Sequence, residues 1–148
     1  MDLHPDFKEL LASFTARNVE YIVVGGYALA FHGAPRMTGD LDLLVNPTQA
    51  NAGRVLQALA DFGFGSLNLT TDDLTKPEQV IQLGSPPFRV DLITSLSGVP
   101  WERALRGSLR VTYAGVNVRI LGKTEFVENK RAVGRKRDLA DLEAIGEE

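Results

Sequence analysis

The stretch Glu20-Tyr21-Ile22-Val23-Val24-Gly25-Gly26-Tyr27-Ala28-Leu29-Ala30-Phe31-His32-Gly33 sets the fold class. Its opening residues are a short β-branched run, which reads as a buried strand. Gly25-Gly26 bounds the run, Tyr27 to His32 resumes helical character, and Gly33-Ala34-Pro35 stops it. This gives a strand, a glycine turn and a short helix. Glycines at such a junction let the backbone approach a ligand closely, and the helix N-terminus offers unpaired N–H groups to a phosphate. A purely structural turn accounts for the same residues, and the pattern is neither a Walker A loop nor a GxGxxG fingerprint.

The next strand is Leu41 to Val45, with Asp40 and Asp42 built into Asp40-Leu41-Asp42-Leu43-Leu44-Val45. Side chains alternate along a strand, so the two acids share one face while Leu41, Leu43 and Val45 turn to a core. Neighbouring carboxylates repel and resist ionising together. Such a pair gains most from a divalent cation between them. Two solvated acids on an exposed strand face are the other reading. A third acid, Asp91, sits in Phe88-Arg89-Val90-Asp91-Leu92-Ile93. Among apolar neighbours it needs a partner. Either a basic residue such as Arg89 neutralises it, or it joins Asp40 and Asp42 as a third ligand.

Outward from these motifs the chain alternates helical and extended patterns. Residues 6–17 place Phe7, Leu10, Leu11 and Phe14 at helical spacing, and a helix over roughly 48–61 repeats the pattern with Val55, Leu56, Leu59 and Phe62. Residues 64–77 read as a loop with a turn at Thr71–Leu74. Gln79–Leu83 with Phe88–Thr94, and Leu109–Tyr113 with Val116–Leu121, read as two hairpins. Pro100–Leu105 suits a short helix. Thr124 is placed as the N-cap of a helix to Val133, Gly134 breaks it, and Asp138–Ile145 forms a last helix. The expected architecture is α/β (α+β): one domain over 1–148, a mixed β-sheet flanked by helices, with C-terminal helices.

Composition narrows the chemistry. With 148 residues, 44% of them hydrophobic and 24% charged, the chain is long enough for its own core and is not of a disordered class. It has no cysteine and two histidines, His4 and His32, so thiol nucleophiles and Cys- or multi-His metal sites are excluded. A bound metal must then sit on carboxylates, which suits Mg²⁺ or Mn²⁺. The net charge is −3, yet residues 119–137 hold seven basic side chains against Glu125 and Glu128. Such a run is a phosphate-binding wall or a solvated helix face. No apolar run reaches the ~20 residues of a membrane span, and the N-terminal residues do not read as a signal peptide. The expectation is a cytoplasmic protein with no membrane partner.

Taken in order, these motifs resemble the DNA polymerase β-like nucleotidyltransferase superfamily. The matching residues are Gly25 to Gly33, then Arg36, Thr38, Asp40 and Asp42, with Asp91 as the third acid. More narrowly, the chain is similar to the AbiEii-like bacterial nucleotidyltransferases, through Lys130 on one helix and Arg137-Asp138-Leu139-Ala140-Asp141 opening the next. The likeness spans about residues 20–145. It departs at Gly26, where the superfamily usually has a serine that helps hold the triphosphate.

The resemblance implies a nucleotidyltransferase fold and transfer of an NMP from an NTP to a hydroxyl acceptor, with release of pyrophosphate. It implies Asp40, Asp42 and Asp91 as ligands of Mg²⁺ or Mn²⁺, with Asp91 also as a general base. Gly25, Gly26, Arg36, Thr38 and Lys130 would bind the nucleotide. Lys130 is thereby also counted among the catalytic residues, with Asp138 and Arg137 supporting it; acids in the first turn of a helix have a dipole explanation as well. The acceptor is an RNA, a protein or a small molecule. A toxin–antitoxin or phage-defence role would add a neutralising protein partner. The competing reading is a non-catalytic nucleotide-binding or protein-interaction module on the same fold. His32 reads as a capping or packing residue, and Tyr21 and Tyr27 as buried.

Overall fold

The computed structural model describes residues 5–34, 39–65, 68–85, 88–113 and 115–147. Its first helix, α1 (Pro5–Ala16), is amphipathic, and Phe7, Leu10, Leu11 and Phe14 are its buried stripe. The chain then turns through Asn18 into β1 (Tyr21–Val24), which is buried along its whole length. Phe14 meets Tyr21 edge-on at 5.6 Å between ring centres, so α1 covers the start of β1. Tyr21 and Tyr27 are both buried, as the sequence predicts.

Helix α2 (Gly25–Phe31) follows β1 with no intervening loop. The two glycines are therefore its first turn rather than a separate loop. Next come β2 (Asp40–Val45) and α3 (Gln49–Phe62). The Thr48 side chain caps α3 by accepting from the Asn51 backbone N–H at 3.2 Å, and Gly63 ends the helix in the left-handed conformation at φ 106°. Asn51 is wholly buried and fully employed. Its Oδ1 accepts from the Glu20 N–H at 2.7 Å, and its Nδ2 donates to the carbonyls of Glu20 and Asn46 at 3.0 and 2.9 Å. A buried amide satisfied in this way fixes α3 against the β1 entry at little desolvation cost.

A single 3₁₀ turn (Asp72–Leu74) precedes β3 (Val80–Ser85) and β4 (Phe88–Ile93). The rest is α4 (Trp101–Gly107), β5 (Leu109–Tyr113), β6 (Val116–Ile120), α5 (Lys123–Val133) and α6 (Lys136–Ala144). The strands form one six-stranded mixed sheet in the order β3-β4-β2-β1-β6-β5. Both predicted hairpins are antiparallel pairs at its two edges, while β2 with β4 and β1 with β6 are parallel. The expected mixed α/β architecture is thus present.

Two helix starts differ from the sequence reading. Thr124 does not cap α5, because the helix already begins at Lys123 and Gly122 is the cap, without a side-chain bond. Gly122 is needed there for space: a Cβ on it would lie 2.3 Å from the carbonyl oxygen of Gly107. Helix α6 begins at Lys136, two residues before Asp138. The Asp138 carboxylate accepts the Arg135 backbone N–H at 3.1 Å, so the acid closes the helix start from inside its first turn.

Candidate active site

One cleft of about 820 Å³ gathers most of the residues singled out by sequence. Gly25 and Gly26 bring the end of β1 and the first turn of α2 to it. Strand β2 contributes Asp40 and Asp42, β4 contributes Asp91, α5 contributes Lys130 and α6 contributes Arg137. Acids line the sheet side and bases the side of α5 and α6. Arg36 and Thr38 lie outside the described residues.

Strand register makes the acidic half. Because β2 and β4 are parallel, Asp42 lies opposite Asp91 and Asp40 opposite Arg89. Alternation then puts all four side chains on one face. Asp42 suffers most from this. Its burial, then the neighbouring carboxylates of Asp91 and Asp40, push it up to about 6, while Lys130 pulls it back down.

Arg89 answers part of the negative charge. Its Nε and Nη2 donate to the two oxygens of Asp91, both at 3.2 Å, and its Nη1 lies 3.8 Å from an oxygen of Asp40. The pairing of Asp91 with Arg89, one of two alternatives open from sequence, is therefore present. Among the described residues no three His, Asp or Glu side chains converge into a ready metal cage. The donor chemistry nonetheless fits a hard divalent cation, since Asp42 is a half-buried carboxylate held against a second one with its negative charge only partly compensated.

The backbone of Gly25 packs directly against this cluster. It has φ +67°, and a Cβ there would lie 2.1 Å from Oδ2 of Asp42. Any side chain would both strain the backbone and displace the acid. Gly25→Ala should therefore cost about 1–3 kcal/mol in urea denaturation and weaken any metal-induced rise in melting temperature. An alanine variant as stable and as metal-responsive as wild type would show that this contact is unimportant.

The basic half rests on a buried network. Lys130 Nζ lies 3.2 Å from Asp138 and 3.3 Å from Asp141, and 5.3 Å from the centre of the Phe126 ring. Asp138 is wholly buried. Burial alone would raise its pKa, but hydrogen bonds from Arg135 and Lys130 outweigh this and hold it down at about 2. The link between Lys130 and Asp138, for which helix-dipole placement was the alternative, is thus present. Arg135, from the basic run 119–137, lines the cleft and donates from Nε to Asp138 at 2.7 Å. Asn129, Ser95 and Ser97 also line the cleft and escaped the sequence reading. Nothing in their local sequence marks them, because α5 and the segment after β4 meet only in the fold; Asn129 Nδ2 donates to the Ser97 carbonyl at 3.0 Å. His32 caps α2 and lies with Nε2 2.7 Å from the Leu121 carbonyl oxygen, as a packing residue would.

No protein-family model matches the sequence, and neither does any curated protein. Solved structures do match. The proposed nucleotidyltransferase TM1012 from Thermotoga maritima superposes with a TM-score of 0.63 at 12% identity, over 93% of this chain and 88% of that one. ANT(2″)-Ia, solved with adenylyl-2″-tobramycin, gives 0.58 at 12% identity over 94% and 84%. The lincosamide antibiotic adenylyltransferase LnuA, solved with lincomycin, gives 0.51 at 11% identity over 97% and 96%. At such low identity the likeness speaks to architecture. On that basis, the chain carries the nucleotidyltransferase fold.

Proposed function

We propose that the protein is a metal-dependent nucleotidyltransferase that moves an NMP from an NTP to a hydroxyl acceptor. The observation that carries this reading is the parallel register that sets Asp42 against Asp91 beside Gly25, across one cleft from Lys130, Arg135 and Arg137. In the proposed reaction the acceptor oxygen attacks the α-phosphorus, the bond from that phosphorus to the β-phosphate oxygen breaks, and pyrophosphate leaves. Asp91 accepts the hydroxyl proton. Lys130 and Arg137 offset the phosphate charge, and the N–H groups of the first turn of α2 hold the phosphates. Asp40, Asp42 and Asp91 would hold Mg²⁺ or Mn²⁺. When bound, the ion would neutralise phosphate charge and acidify the hydroxyl.

The acceptor remains a class: an RNA, a protein or a small molecule. The neighbours solved with adenylyl-tobramycin and with lincomycin add weight to the last. The finer placement rests on Lys130 and the Arg137-Asp138-x-x-Asp141 spacing. It is an AbiEii-like enzyme of a toxin–antitoxin or phage-defence system, in the cytoplasm, with a neutralising protein partner. No helix among the described residues is long and apolar enough to cross a membrane.

The pairing of Arg89 with Asp91 and its approach to Asp40 favour a second reading, a non-catalytic nucleotide-binding or protein-interaction module. Two measurements separate them. The first is thermal melting with each NTP, with and without Mg²⁺ or Mn²⁺. The second is pyrophosphate release over a panel of RNA, protein and hydroxylated antibiotic acceptors. Release that needs metal, NTP and acceptor together supports the enzyme. A metal-dependent NTP shift without release supports the module. No shift at saturating NTP and metal overturns the enzyme and the nucleotide-binding module, and leaves the protein-interaction module.

A further inference from the structure

A second cavity, of about 740 Å³, opens elsewhere in the fold and shares no lining residue with the cleft. It lies beside the short pairing of β1 with β6. Strands β1 and β6 are in register only at Val23 and Ile120. Two residues back toward the strand starts, Tyr21 and Val118 line the cavity; each pairs with its other neighbouring strand, Tyr21 with Val45 and Val118 with Val111, and not with the other. Trp101, from the first turn of α4, forms another wall.

Two features of this cavity suit a ligand. Arg110 and Arg119 stand directly opposite each other across β5 and β6, and both line it. Like charges in that position destabilise a sheet. Among the described residues neither arginine forms an ion pair; Arg119 donates from Nη1 to Ser108 Oγ at 3.1 Å. Trp101, half-buried, has no ring contact and no hydrogen bond on its indole N–H among the described residues. Its indole N–H is not buried and is open to a ligand in the cavity. Glu20 also lines the cavity, but its Oε2 already accepts from Asn46 Nδ2 at 2.6 Å.

We infer that this cavity binds a small aromatic anion, with its ring against Trp101 and its phosphate or carboxylate on the Arg110–Arg119 pair. A double-arginine face suits either anion through paired N–H bonds. The volume lies within the roughly 300–1,000 Å³ range of small-molecule pockets.

Trp101 is the only tryptophan in the chain, so its fluorescence and its single indole N–H resonance report this cavity directly. The test titrates the intact protein with phenyl phosphate, with benzoate and with inorganic phosphate. The expected result is a saturable Trp101 response to one or both aromatic anions, at least about tenfold tighter than to inorganic phosphate. The first two probes distinguish a phosphate from a carboxylate ligand. Arg110→Gln should weaken the response about tenfold, and Arg119→Gln should do the same. Arg110 is exposed, so its variant keeps the test valid if the Arg119 variant misfolds. Asp42→Asn should leave the response unchanged, which separates this cavity from the candidate active site. No saturable response to either aromatic anion would overturn the inference. So would equal binding of inorganic phosphate, or a response indifferent to Arg110.

Discussion

Asp42→Asn should melt higher than wild type at neutral pH when divalent metal is chelated, and should lose every metal-dependent gain. The reason lies in the strand register. Parallel pairing forces the Asp42 carboxylate against Asp91, in a partly buried place, with Asp40 beside it. The group therefore holds its proton more tightly folded, at about 6, than in its ordinary environment, at 3.8. The sign follows from linkage. The stabilising contribution of such a group is complete below its unfolded pKa and is lost as pH rises through the folded value. At neutral pH the ionised acid costs the fold about 1–3 kcal/mol, which the asparagine recovers while keeping a similar shape. Urea midpoints in chelator should thus favour the variant at neutral pH and converge below about pH 4. With metal and NTP the order reverses. Wild type should gain several degrees by mass action and the variant should gain none. Turnover, read as pyrophosphate release, should fall roughly a thousandfold. A variant that is less stable than wild type in chelator would show that Asp42 is not held under electrostatic strain.

Lys130→Met should have the largest effect on folding. Lys130 is the cation between Asp138, wholly buried, and Asp141, nearly so. Methionine matches the length of the side chain but takes the cation from between the two carboxylates, with Arg135 still bound to Asp138. Breaking a buried pair on one side costs about 3–5 kcal/mol, a large part of the ~5–15 kcal/mol of a typical domain. Here the pH sign is opposite to that of Asp42. Asp138, held down at about 2, stabilises the fold above its ordinary 3.8, and that contribution is lost as pH falls through the folded value. The penalty of Lys130→Met should therefore be greatest near neutrality and shrink in acid. Adding Asp141→Asn to Lys130→Met should return part of the lost stability, because it removes one of the two neighbouring charges that Lys130 had offset. If Lys130→Met alone unfolds at the same urea concentration as wild type, the network is not a structural element, and Lys130 serves the cleft only.

Much of the candidate site was legible in residue spacing. Alternation along β2 placed Asp40 and Asp42 on one face, and the isolated acid in β4 marked Asp91. The glycine pair after a β-branched run marked the close approach at Gly25. Local patterns also located the helices, since buried stripes such as Phe7, Leu10, Leu11 and Phe14 follow from helical geometry alone. The helix starts at Lys123 and Lys136 were misplaced for the opposite reason. Gly122 stands at its cap because the Gly107 carbonyl leaves no room for a side chain, which is a constraint from a distant part of the chain.

The sequence by itself determined the elements, the faces on which the acids stand and the absence of thiol or multi-His chemistry, because these depend on residue type and on periods of about two and 3.6. Only the tertiary structure decided which faces meet. Strand order and parallel pairing brought Asp42 against Asp91 and Arg89 beside Asp40. The packing of α5 on α6 set Lys130 between two carboxylates, and a second cavity formed where Trp101 of α4 meets β1, β5 and β6. Each of these joins residues far apart in the chain. The energies that select them, desolvation and Coulomb interaction, depend on three-dimensional distance and on exclusion of water, neither of which a one-dimensional pattern carries.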